Sequence, residues 1–176
     1  MSLGILIYTY LSLALTPITA SAVDVSISWN YDKFPLKVQL YTPKPDFAKS
    51  ISNTGNVKSI DQSPADKKIQ DSFLKIKADD SMPAVMIIEN KTDEDYYFFA
   101  VPHEVHPPTA SVGHYFECLC VGKVYKVAAK SVWYRIVRVN LAKTFKNVAK
   151  FDINHKIIGV AKKDLETKYK DMLYDK

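Results

Sequence analysis

Ala84-Val85-Met86-Ile87-Ile88-Glu89-Asn90, followed by the polar Lys91-Thr92-Asp93-Glu94-Asp95 and then by Tyr96-Tyr97-Phe98-Phe99-Ala100-Val101, is the stretch that decides the fold class. Both apolar runs are rich in β-branched or aromatic residues and too short for stable helices, so they read as two strands joined by a hairpin turn. Downstream, Tyr115–Val121, Val124–Val127 and Val132–Leu141 read the same way, and upstream so does Phe73–Lys77. Nearer the N-terminus, Val23, Val25, Ile27 and Trp29 alternate with Asp24, Ser26 and Ser28. Leu36, Val38 and Leu40 likewise alternate with Lys37 and Gln39, the period-two pattern of half-buried strands. Closely spaced short strands with polar turns and little helix predict an all-β, antiparallel β-sandwich. Alternation in the last strand puts Val132, Tyr134 and Ile136 on one face, without Val139, and Trp133, Arg135 and Val137 on the other. The charge on Arg135 predicts that its face is the wetter one.

Between the strands, Pro43 and Pro45 introduce a polar, non-periodic stretch over 46–62 that reads as a long surface loop. Ser63-Pro64-Ala65-Asp66 has the form of an N-cap with proline at the first helical position, which predicts a short helix to about Asp71. After Asp164, the residues Leu165, Tyr169, Met172 and Leu173 fall at helical spacing and predict a C-terminal helix over 163–176. The 176 residues are about one domain long. The expected division is a signal peptide or anchor over 1–22, a sandwich domain over 23–162 and the terminal helix.

No charged side chain precedes Asp24, Leu3 to Leu15 is apolar, and Ala20-Ser21-Ala22 follows Pro17. Small residues after a proline-broken apolar run favour signal-peptidase cleavage, with Val23 as the mature N-terminus. A retained membrane anchor is the rival reading. Either way the remaining chain is expected to be exported, on the periplasmic or extracytoplasmic side. The net charge of +5 is unevenly spread: eight bases and no acid lie between Glu117 and Asp152, while 71–104 carries eight acids against three lysines. This is either two solvated strand faces or a docking surface for an acidic partner or an anionic membrane. Nucleic acid is not an expected partner, because the chain is exported, has 22 Lys against 2 Arg, and carries no binding motif.

The only cysteines are Cys118 and Cys120. In an extended strand both sulfurs would share a face, with Cα atoms about 6.8 Å apart. That is the upper limit for an unstrained disulfide, whereas a two-coordinate metal is reached by rotamer choice alone. Thiolates select copper(I) or zinc over hard ions. A disulfide or redox pair remains open, as does inert packing. His103, His106 and His114 lie within 18 residues of the pair, and Met82 and Met86 supply soft thioethers. A closed zinc site of both cysteines with two histidines is also open, although His103-Glu104-Val105-His106 beside two prolines is not a finger helix. No Ser-His-Asp pattern, phosphate loop or HExxH motif is present, so an enzyme is not expected.

The segment from about Ala84 to Leu141 resembles the periplasmic domain of the CtaG-type cytochrome c oxidase assembly proteins. The resemblance runs through Ala84–Asn90, the hairpin, Glu104-Val105-His106-Pro107-Pro108, Gly113-His114-Tyr115-Phe116, Cys118-x-Cys120 and Val132–Val137, about a third of the chain. Leu119 and Val121 stand where the family usually has aromatics, and no Asp-Pro follows Leu141. The resemblance implies an immunoglobulin-like sandwich and copper(I) held by Cys118 and Cys120, in some cases across a homodimer. It also implies transfer to an oxidase subunit. His103, His106, His114 and Met86 are further candidate ligands. The alternatives are a thiol–disulfide redox protein and an adhesion or scaffold sandwich.

Overall fold

The computed structural model describes residues 22–50, 52–117, 119–145 and 148–174. The expected N-terminal leader lies, apart from Ala22, outside the described residues, as does Cys118. The strands are β1 (Ala22–Asp32), β2 (Val38–Pro43), β3 (Thr54–Val57), β4 (Ala65–Lys68), β5 (Phe73–Lys77) and β6 (Ser81–Asn90), followed by β7 (Tyr96–Ala100), β8 (Glu104–His106), β9 (His114–Glu117), β10 (Tyr125–Val127), β11 (Ser131–Leu141) and β12 (Lys150–Val160). A helix α1 (Lys162–Thr167) follows.

Two six-stranded sheets face each other. One runs β10-β7-β12-β1-β5 with β8 also on β12, and the other runs β3-β11-β6-β2-β4 with β9 also on β11. The pairing is antiparallel except between β1 and β12, which run parallel with Trp29 opposite His155. The expected β-sandwich is therefore the architecture. Its core takes Val23, Val25 and Ile27 from β1, Met86 and Ile88 from β6, and Phe151, Ile153 and Ile157 from β12. Val85 and Ile87 point the other way and pack with Ala65, Val132 and Ile136 under the 41–66 segment. Both faces of β6 are thus covered, which is why it reads as a continuous apolar run.

Several expectations are corrected. Arg135 is not on the wet face: it is 4% exposed, on the same face of β11 as Trp133 and Val137, while Ile136 is buried on the other side. Alternation was right about the partition, but both faces of the strand are covered, so charge could not say which was wetter. Ser63-Pro64 starts no helix; Ala65–Lys68 pairs with β2 as a strand. The 46–62 stretch contains β3, held against β11. The terminal helix stops at Thr167, after which Lys170–Met172 forms one 3-10 turn. Strand β12, the centre of its sheet, went unassigned because it carries charged and polar residues on alternate positions and a histidine in its apolar row.

Gly159 of β12 allows the 32–34 turn to cross closely: a Cβ there would stand 2.1 Å from the Lys33 carbonyl oxygen and 2.6 Å from its carbon. Because both obstacles are backbone, Gly159→Ala must displace the chain. It should cost about 1–3 kcal/mol, as overpacking does, visible as a lower urea midpoint with an unchanged slope.

Candidate metal centre

Strand β9 ends at Glu117, one residue before the cysteines. The expected strand Tyr115–Val121 gives way to a tight turn in which the Val121 N–H donates to the Leu119 carbonyl at 2.8 Å. Leu119, fully buried, pins this turn into the core. Strand alternation therefore does not set the direction of Cys120. Cys120 is half-buried and disulfide-bonded, and the chain's other cysteine is Cys118.

Opposite this turn, the outer edge of β12 is paired twice, by β8 over 152–154 and by β7 over 157–160. Between them Val101-Pro102-His103 leaves the ladder after a last rung, Val101 N–H to Lys156 O at 3.0 Å. Pro102 cannot donate to a ladder. The gap falls at His155, and His103 comes down beside it with ring centroids 5.1 Å apart. The Cys120 Sγ lies 3.9 Å from His155 Nδ1 and 3.4 Å from the Val101 carbonyl oxygen. His103, Cys120 and His155 each present one ligand atom, all within 4.8 Å of one another.

The electrostatics favour neutral imidazoles. His155 is fully buried; burial first, then the neighbouring His103, pushes its pKa down to about 3. Burial and His114 likewise lower His103. Trp29 stacks on His155 at 5.2 Å and 15°, fixing the ring plane. Yet His155 Nε2 and His103 Nδ1 are buried without hydrogen-bond partners. Buried polar atoms normally find partners, and a neutral imidazole lone pair is a metal ligand. Two imidazoles with a thiolate form a donor set suited to copper or zinc.

The sequence-derived candidates divide accordingly. Cys120 and His103 belong to the group. His114 is adjacent, 5.9 Å from His103 between ring centroids, but its Nδ1–H donates to the Ala110 carbonyl at 2.7 Å. His106 points away, with a 60% exposed side chain 3.8 Å from Glu104. Met86 is fully buried in the main core across from Leu40 and Arg135. His155 was missed. Its one sequence signal is the row Phe151, Ile153, His155, Ile157, in which a titratable ring holds a core position. The charge asymmetry also resolves in part: Lys126 pairs with Asp95 at 2.6 Å and Lys130 with Asp93 at 3.3 Å.

The structure thus defines a two-sheet β-sandwich whose Cys120 turn meets two buried-side histidines. The chain belongs to the family described as a domain of unknown function (DUF8709), which matches residues 23–160 and so spans every residue of this site. Neither a curated protein nor a solved structure matches it. Among the described residues no helix is long and apolar enough to cross a membrane.

Proposed function

We propose that this is an exported copper(I)-binding protein that holds its cargo between the Cys118/Cys120 thiolates and the imidazoles of His103 and His155. It would hand copper to an acidic protein partner, in the manner of the oxidase assembly proteins its central segment resembles. The observation that carries this reading is His155: a neutral, fully buried imidazole with an unpartnered Nε2, grouped with His103 and Cys120. The sandwich agrees with the immunoglobulin-like fold the resemblance implies, and a homodimer or membrane tether is compatible with it.

The disulfide makes the cargo conditional. A dithiol reductant exchanges with it, giving two electrons and two protons to the cysteines and becoming a disulfide itself. Copper(I) then displaces thiol protons. The test compares the oxidised and reduced chain, loaded anaerobically with copper(I) and desalted. One copper per reduced chain and none on the oxidised chain is the expected metal analysis. Equal copper on both forms, or none on the reduced form, would overturn the proposal.

A second reading, thiol–disulfide exchange without metal, is favoured by the disulfide-bonded Cys120 with a neutral ring 3.9 Å from its sulfur. Turnover of insulin disulfides by the metal-free protein would select it.

A further inference from the structure

Three segments meet at one end of the sandwich. Parallel pairing sets Asp24 opposite Lys150, and the Asp24 N–H donates to the Ala149 carbonyl at 2.9 Å. Strand β8 reaches this end at His106, opposite Asp152, and the chain then passes through 107–113 into β9. Strand β11 arrives at Leu141, opposite His114, where the Ala142 N–H donates to the Gly113 carbonyl at 2.7 Å. His114 and Phe145 both pack on Phe151, with ring centroids 5.5 and 5.4 Å from it. The 107–115 and 142–145 segments are thus joined beside Lys150 and the start of β1. There the sequence preceding Asp24, which has no charged side chain, meets the sandwich.

The surface chemistry of this end is one-sided. No acid occurs in 105–116 or in 141–151, and the second stretch carries Lys143, Lys146 and Lys150. Lys143 and Lys150 are exposed, and neither forms an ion pair with a described residue. Val112 is 79% exposed and Tyr115 61%, two of the four large hydrophobic side chains that are exposed among the described residues. The acids of this end, Asp79 and Asp80, lie in the turn between β5 and β6, and β5 and β8 stand on opposite sides of β12 in their sheet. The other end, about 33 Å away along β12, carries Asp93, Glu94 and Asp95.

We infer that this end of the sandwich seats on an anionic lipid surface. Val112 and Tyr115 enter the headgroup layer, and Lys143 and Lys150 lie against lipid phosphates. Tyrosine favours the membrane interface because its ring is apolar and its hydroxyl is not, and lysines are drawn to an anionic leaflet. A lipid surface is favoured over a protein by what joins the sandwich here. If the apolar Leu3–Leu15 segment is retained, it holds a bilayer at this end; if it is cleaved, the Val23 amine adds a positive charge to the patch. Tyr115 also lines the cleft shared by Cys120 and His103, so the metal group opens beside the headgroups. The seating itself needs neither metal nor reduction.

The test uses the 176-residue chain, metal-free and methyl-labelled at valine. It is added to phosphatidylcholine nanodiscs that contain phosphatidylglycerol and a nitroxide on the lipid headgroup. The Val112 methyl signals should broaden strongly, while those of Val160, at the far end of β12, keep their intensity. Omitting phosphatidylglycerol or raising the salt should restore Val112, because both weaken the attraction. Lys143→Glu with Lys150→Glu should lower the docked-to-free ratio at least about tenfold, since each lysine near an anionic surface contributes about fivefold. Lys162→Glu with Lys163→Glu, beyond the other end of β12, should leave that ratio within about twofold, those charges lying outside the screening length. Val112 signals no broader than those of Val160 on anionic discs would overturn the inference and leave the patch to a protein partner. Equal release by charge reversal at either end would overturn it as well.

Discussion

Cys120→Ser should lower the copper(I) affinity of the reduced protein by at least about a thousandfold, because a hard hydroxyl replaces a soft thiolate. The double change with Cys118→Ser should remove the site. His155→Phe should lower affinity by about a hundredfold. The phenyl ring keeps the stack on Trp29 and an apolar place in the row between Ile153 and Ile157, but it removes the lone pair. His103→Ala should have a smaller effect, since that ring is partly exposed and completes the shell rather than anchoring it. His106→Ala should change nothing, its side chain being 60% exposed and outside the group. Met86→Leu should leave copper binding intact and cost less than about 1.5 kcal/mol, as volume-conserving core exchanges do. Competition against a chromophoric copper(I) chelator gives all of these affinities. Undiminished binding in Cys120→Ser would place the site elsewhere, and undiminished binding in His155→Phe would return the choice of imidazole to the 103–114 loops.

The metal-free protein should lose stability steeply in mild acid, and His155 is the cause. Its imidazole titrates near the ordinary value of about 6.5 in the unfolded chain but at about 3 when folded, because burial disfavours the cation. Below about pH 6.5 the unfolded state therefore binds a proton that the folded state refuses. Stability from this group is complete above that pH and declines as the pH falls toward 3. One such group gives a slope of about 1.4 kcal/mol per pH unit. His103, lowered by burial and by His114, acts in the same direction. Urea titrations at pH 7, 5.5 and 4.5 should show this loss, and His155→Phe should flatten most of it. An unchanged slope in that variant would mean that carboxylates, not the buried ring, carry the acid lability.

These variants also separate two ways in which a histidine can belong to a core. A ring kept only for packing would make His155→Phe neutral or stabilising at pH 7, with no loss of copper. A ring kept for its lone pair gives the opposite copper result even when stability improves. The buried Nε2 without a partner is what makes the second outcome the expected one.

Much of the architecture was legible in residue order alone. Alternation found β1, which buries one row of apolar side chains, and short apolar runs bounded by polar turns found β5, β6, β7 and β11 nearly to their ends. That Cys120 and His103 would come together was also legible, from residue type and proximity. The short helix after Ser63 was misread because a local capping signal, correct in form, yielded to pairing with β2, which only the fold supplies. The metal group depends on contacts that no local pattern contains. His155 lies 35 positions from Cys120 and reaches it only because β12 runs parallel to β1, leaving its outer edge to two short strands with a gap between them. Arg135 shows the same division. Its face along β11 followed from a period of two, but whether that face met water or a second sheet was decided by tertiary packing, because burial is a property of what the rest of the chain places opposite.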